Sequence, residues 1–168
     1  MHFKKFLESI VESKQLNESS DIKIKFHKKH DDLFGDANTI LVDDSNFEIK
    51  HETLNIPIYP AVEDKEDEYA YESVYARLEI EYDIKGHYEP QTYDSPGDYE
   101  FEIKLNKVKV DEINTDDDYK ELSDNFNKIL KDKSNLEKIA KYIISDKEIE
   151  EFIEKTYFKE KEHERDDY

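Results

Sequence analysis

Three groups of residues have the types and spacing that chemistry would need. The first is His27 and His30, three apart and followed by Asp31, Asp32 and Asp36. Imidazole together with carboxylate suits Zn²⁺, Mn²⁺ or Fe²⁺, and His51 or His87 could complete such a set. On this reading His27, His30 and Asp32 would be the metal ligands of a metal-dependent hydrolase. Two features argue the other way. The zincin motif needs its two histidines four apart on a helix, and Lys25 and Lys28 flank His27 with positive charge that opposes a cation. An exposed polar strand end is therefore expected at His27, with no metal and no cofactor.

The second group is carboxylate. Glu79, Glu81 and Asp83 alternate with apolar residues, as do Glu100 and Glu102 further along. If the two segments pair, these five carboxylates could form one acidic face, the arrangement that an acidic mimic of DNA requires. Arg77, Lys104, Lys107 and Lys109 fall on or near the same face and should interrupt it. Asp116, Asp117 and Asp118 lack the glycine turn and the ligand spacing of a calcium loop. Their expected role is to open a helix, where negative charge complements the macrodipole.

The third group is the stretch KGHYEPQTYDSPGD at 85–98, which holds two of the three glycines and two of the four prolines. Tyr88, Pro90, Tyr93 and Pro96 would form a stiff loop that displays tyrosine, a residue giving large contact area at small entropy cost. Partner binding is one expectation for it. The alternative is a long hairpin connection whose tyrosines fold back on the sheet. Other chemistries are absent from the sequence. With no cysteine there is no disulfide, thiolate site or cysteine nucleophile. No nucleophile elbow occurs, and three unclustered glycines exclude phosphate-cradling loops.

Periodicity supplies the elements that would carry these groups. Phe3, Phe6, Leu7, Ile10 and Val11 form one helical stripe. Ile22, Ile24 and Phe26 alternate with Lys23, Lys25 and His27 as a strand, and TILVD with FEIKHETLNIPIYPAV adds strand-type residues separated by an Asp43–Asn46 turn. Pro57 and Pro60 predict an edge strand or an extended arm for the second of these. The run EDKEDE at 63–68 reads as a solvated loop. From Tyr71 to Lys85, Val74, Ala76, Leu78, Ile80, Tyr82 and Ile84 share one face. The pattern repeats at Tyr99, Phe101, Ile103 and Leu105 and shifts phase at Val108 and Val110, as a β-bulge would make it. Pairing across an 86–98 loop follows. Val74, Leu78, Ile80, Phe101 and Ile103 are the expected core.

Beyond Thr115 the period becomes 3.6, with Tyr119, Leu122, Phe126, Ile129 and Leu130 on one stripe. Ser134 with Glu137, and Ser145 with Glu148, read as capping boxes, which gives helices at about 116–131, 135–144 and 146–158. The expected architecture is one α+β domain over 1–168. It comprises an amphipathic N-terminal helix within 1–18, an antiparallel β-sheet of about five strands over 21–110, two to three C-terminal helices over 116–158 and a frayed acidic tail at 159–168.

The strand, the Tyr82–Pro90 stretch YDIKGHYEP, the turn YDSPG and the second strand, over about residues 74–113, resemble a pattern in small uncharacterised proteins of tailed bacteriophages. The resemblance implies an origin and carries no activity. The N-terminal helix followed by Leu16-Asn17-Glu18 is similar to the capsid-targeting leaders of phage internal head proteins, which are cut after Leu/Ile-x-Glu. Such triplets recur here at Ile10-Val11-Glu12 and Ile149-Glu150-Glu151.

The formal net charge of −19 is spread as +3 over residues 1–30, −14 over 31–110 and −8 over 111–168. An acidic body disfavours direct nucleic-acid binding, and no segment is apolar enough to span a bilayer. The expectation is a phage-encoded, non-enzymatic protein-interaction factor that acts in the host cytoplasm or in the virion on a protein partner. The alternatives are the DNA-mimic inhibitor of a nucleic-acid-binding host or defence protein, and the hydrolase.

Overall fold

The structure, a computed structural model, describes residues 21–30, 32–89, 93–94 and 98–166, without the side chains of His30, 87–89, 98–99 and 162–166. The expected N-terminal helix and its leader-like triplets at 10–12 and 16–18 lie outside the described residues, as do Pro90 and Pro96. Six strands form one sheet. They are β1 (Lys23–Phe26), β2 (Thr39–Val42), β3 (Glu48–Lys50), β4 (Thr53–Pro60), β5 (Tyr75–Glu89) and β6 (Asp98–Asn114). The helices are a single turn, α1 (His27–His30), and three longer ones, α2 (Lys120–Lys131), α3 (Lys133–Ile144) and α4 (Lys147–Asp166).

The spatial order is β1-β2-β4-β5-β6, with β3 pairing β4 beside β2. β1 and β2 run parallel, whereas the other pairs are antiparallel. The fold is thus α+β as expected, but the sheet is mixed rather than purely antiparallel. β4 lies inside it and not at its edge. Two local facts let a proline sit there. The Pro57 carbonyl accepts the Asp43 N–H, so the missing Pro57 N–H also faces the side where β3 ends at Thr53–Asn55 and β2 begins at Ile58. At this end of the β2 ladder the Asp43–Pro57 pair keeps one of the two bonds that an antiparallel pair exchanges, so the proline costs a single bond. Pro60 falls beyond the last β4–β5 pair, Ile58 with Ala76.

The β5 alternation is realised as read: Val74, Ala76, Leu78, Ile80, Tyr82 and Ile84 are buried and join Leu54, Ile56 and Ile58 of β4 in the core. Helices α2 to α4 close that face with Phe126, Ile129, Leu130, Ile139, Ile143, Ile149 and Ile153. The phase shift in β6 is a bulge. Glu81 faces Lys107 while Tyr82 faces Leu105, so Asn106 is the extra residue; a second shift between Arg77 and Leu78 leaves Asp111 extra. Phe101 and Ile103, expected in the core, are half-buried because β6 pairs only with β5. Phe101 instead packs edge-on against Tyr157 and Phe158 of α4 at 5.8 and 5.2 Å.

The helix starts differ from the expected serine caps. Asp132 caps α3 by accepting the Ser134 N–H at 2.9 Å. At the start of α4 Asp146 accepts the Ile149 N–H at 3.3 Å, while the Ser145 hydroxyl bonds back to the Tyr142 carbonyl. Carboxylates are as good at this position as hydroxyls and also favour the dipole. Asp116 caps the 3₁₀ turn that leads into α2 by accepting the Asp118 N–H, as expected of that acidic triplet. The 159–166 segment continues α4 rather than fraying. Among the described residues no helix is long and apolar enough to cross a membrane.

His51 and Glu52 form the two-residue turn between β3 and β4 with φ of 51° and 60°. Left-handed backbone costs an L-residue about 1–2 kcal/mol, and asparagine with glycine is the usual choice for such a turn. The carboxylate of Glu160 accepts the His51 N–H at 3.2 Å, tying the turn to α4. Two measurements of denaturant unfolding test this architecture. Leu78→Ala should cost about 2–5 kcal/mol, whereas Glu52→Gly should stabilise by about 1 kcal/mol once relief of strain is set against glycine's entropy.

Candidate functional site

Two regions present chemistry, at opposite ends of β5. The first is the ribbon in which β5 and β6 outrun the rest of the sheet. β4 pairs β5 as far as Glu81, and the Tyr82 N–H adds one bond to the Glu52 carbonyl, so beyond Tyr82, as far as Glu89, β5 pairs with β6 alone among the strands. One face of the ribbon rests on α4 through Tyr82, Ile84 and Phe101. The strands pair as far as Glu89 and Asp98, so the connection is shorter than the 86–98 loop read from sequence. Tyr88 pairs with Tyr99 within the ladder, and its side chain is outside the described residues. Tyr93, at the tip, is fully exposed.

The ribbon's other face carries the carboxylates. Their register differs from one continuous acidic band. Glu79 faces Lys109, Glu81 faces Lys107 and Asp83 faces Lys104, while Glu102 faces Lys85 and Glu100 faces His87. Glu79 and Lys109 form an ion pair at 3.3 Å. The two bulges produce this ladder by shifting the lysines of β6 into positions opposite β5 acids. Each exposed pair contributes on the order of 0–1 kcal/mol.

The second region lies where β1 and β2, running parallel, release the chain at the same end. His27 is not a strand residue, as read from sequence, because the chain turns into α1 directly after Phe26. Its ring meets Tyr59 edge-on at 5.5 Å, and its Nδ1 is buried without a hydrogen bond. The other expected metal ligands are engaged or undescribed. Asp32 accepts the Phe34 N–H at 3.0 Å and lies 3.7 Å from Lys25 Nζ. Asp36 binds Lys23 Nζ at 2.7 Å, the Asn38 N–H and the Thr39 hydroxyl; the Lys23 ammonium, foremost, holds its carboxyl below the usual range. Among the described residues no three His, Asp or Glu side chains converge as a metal site.

His27 instead borders a cleft of about 460 Å³ with Lys28, Asp43, Ser45, Pro57, Tyr59, Tyr71 and Tyr75. Three stretches of chain build it. The 43–46 turn is fixed by Asp43, whose Oδ1 accepts both the N–H and the hydroxyl of Ser45 and whose Oδ2 accepts the Asn46 amide at 2.8 Å. The Leu41–Tyr59 pair brings β4 beside that turn. Two 3₁₀ turns, one at Lys65–Asp67 inside the acidic 63–68 segment read as a loop and one at Ala70–Glu72 after it, then place Tyr71, whose ring centroid lies 6.2 Å from that of Tyr59. Sequence reading missed this site. Its one local signal was the Asp-Asp-Ser-Asn turn, because Tyr59, Tyr71 and Tyr75 converge only through sheet register.

Adjacent carboxylates in this turn have opposed electrostatics. Burial would push Asp43 up, but the Ser45 and Asn46 hydrogen bonds and the charge of His27 outweigh it and leave its carboxyl below the usual range. Asp44 has no such shell. Burial raises it despite Lys29, and its Oδ1 is buried without a partner. Above it, a further hollow of about 610 Å³ is lined by Lys28, Lys29, Phe47, Glu148 and Phe152. Lys29 bridges to Asp146 at 2.6 Å; burial works to lower its pKa, but Asp146 with Glu148 and Asp44 keeps it raised.

The signs give a pH test. A depressed carboxyl contributes stability above its unfolded pKa near 3.8 that is lost as pH falls through the folded value. A raised carboxyl does the reverse, favouring the fold below 3.8 and losing that contribution as pH climbs through the folded pKa. At neutral pH, Asp43→Asn should therefore lower the melting temperature and Asp44→Asn should raise it. Both differences should shrink when melting is repeated below pH 3.8.

Compared with models of known protein families, with curated protein sequences and with solved structures, the chain shows no match.

Proposed function

We propose that this chain is a phage-encoded, non-enzymatic protein-interaction factor, host-directed or virion-associated, which grips a protein partner with the tip of the β5–β6 ribbon. The phage origin rests on the resemblance of residues 74–113. The observation that carries the binding reading is Tyr93, fully exposed at the end of a two-stranded projection that no other strand covers. An unburied tyrosine on a stiff support gains apolar area on contact and loses few rotamers. Tyr88, Pro90 and Pro96 belong to the same contact surface in this reading.

The acidic-mimic alternative fits less well. A mimic presents rows of unneutralised carboxylates, whereas here Glu79, Glu81 and Asp83 each face a lysine across the ladder. The remaining acidic charge is consistent with a role in solubility and in repelling other copies.

The test is capture of partners from host lysate and from purified virions, analysed by mass spectrometry. The captured complex should persist in about 0.5 M NaCl, where screening shortens electrostatic reach to a few ångströms. The double variant Tyr88→Ala with Tyr93→Ala should weaken it by roughly tenfold or more, in the range of an aromatic hot spot. Charge reversal at Glu79 and Glu81 should change it less. Binding abolished by salt and by charge reversal would favour the mimic.

A further inference from the structure

The cleft between the 43–46 turn and Tyr71 takes no part in the ribbon contact proposed above. Its walls are chemically specific. Tyr59 is 6% exposed on the sheet face opposite the helices, where it packs with Leu33, Leu41, Ala61 and Tyr75 and meets the rings of His27 and Tyr71. Its hydroxyl forms no hydrogen bond with any described residue. Burial, with Asp43 and Asp44 next, pushes its pKa well above the ordinary tyrosine value, so it remains a neutral donor and acceptor. Tyr71 rises beside it with 39% of its surface exposed.

Asp43 completes the cleft. A carboxylate offers about four acceptor positions. Ser45 fills two through Oδ1 and Asn46 fills one through Oδ2, so one position on Oδ2 is left for a donor. The three hydrogen bonds also fix the carboxylate's orientation before any ligand arrives. A preoriented anion beside tyrosine rings is the pairing that attracts an organic cation, through charge at the carboxylate and through the negative ring faces. Inorganic anions meet repulsion from Asp43 there. The chain as a whole, at −19, draws cations toward every face.

We propose that the cleft formed by Asp43, Tyr59 and Tyr71 binds an organic cation, an ammonium or guanidinium head of the kind that basic side chains carry. His27, whose charge already acts on Asp43, and Lys28 also border the cleft, and Lys28, the exposed one of the two, acts as an internal competitor, since its charge opposes an incoming cation. This gives the proposal a distinguishing sign. Removal of Lys28 strengthens the binding of a cation and weakens the binding of an anion.

The test uses the full chain and watches its tyrosine ring resonances by NMR during titration with acetyl-arginine amide, acetyl-lysine amide or tetramethylammonium. Methyl glucoside and inorganic phosphate serve as neutral and anionic probes. At least one cationic probe should saturate with a Kd on the order of millimolar, as befits a single small contact. Whether the arginine, lysine or quaternary probe binds tightest identifies the source of the cation. Asp43→Asn and Tyr71→Ala should each weaken it by about tenfold or more, Lys28→Ala should tighten it by about two- to fivefold, and Tyr93→Ala should leave it unchanged. Melting curves accompany each variant. Should Asp43→Asn fail to fold, Tyr71→Ala and Lys28→Ala decide, because both alter exposed side chains. Lack of saturation by every cation, tighter binding of the glucoside or phosphate, or weaker cation binding in Lys28→Ala would overturn the proposal.

Discussion

The contact between the inward face of β5 and the helix layer carries this fold. Six consecutive alternate positions, Val74 to Ile84, are buried there, and each large aliphatic among them contributes about 1.5–3 kcal/mol. Only 36% of the residues are apolar and 41% are charged, so the chain has enough apolar area to seal one face of the sheet. All three long helices gather on that face. Their apolar stripes, from Phe126 through Ile153, merge with the β4 and β5 residues into one core. The opposite face receives what remains, a small cluster around Leu41, Tyr59 and Ala61 together with charged and tyrosine side chains.

That one-sided economy shapes both ends of the outer face. Along β5 and β6, bulges at Asn106 and Asp111 bring lysine opposite acid at Glu79, Glu81 and Asp83, which eases repulsion along the ladder of a strongly acidic chain. The bulges and the charged side chains also blunt the outer edge of β6 against unwanted strand pairing. At the β1–β2 end the outer face has no such run of acid–lysine pairs across strands among the described residues. The 43–46 turn, α1 and the 3₁₀ turns before β5 surround Tyr59, and the half-covered space between them becomes the tyrosine cleft.

What could be read from sequence was the pattern of strong local periodicity. The buried face of β5, the phase shift in β6, the acidic cap at Asp116 and three C-terminal helices each follow from side chains within a few positions of one another. Features that depend on distant chain were not legible. Pro57 argued for an edge because the gap between β3 and β2 that accommodates it belongs to other strands. His27 continued an alternating pattern, yet the chain coils after Phe26. The serine boxes were outcompeted by Asp132 and Asp146, one position from each expected cap in the case of Asp146 and two in the case of Asp132, which is within the ambiguity of any polar cluster at a helix start. The cleft depends on the Leu41–Tyr59 register and on the placement of Tyr71, neither of which has a local signature.

β5 also sets the geometry of any partner that would use both proposed sites. Tyr75, at the cleft, begins the strand, and the ribbon tip with Tyr93 lies past its far end at Glu89. Fifteen residues of strand at about 3.3 Å each separate the two by roughly 45 Å. A compact partner reaching the tip would leave the cleft free, and the two sites would then act independently. A long or segmented partner could engage both, with the second contact formed intramolecularly at the effective concentration that its own linker allows. The strand between them is paired throughout, to β6 along its length and to β4 over its first part. It therefore works as a fixed spacer, and any coupling between the sites would come from the span of the partner rather than from movement within this chain.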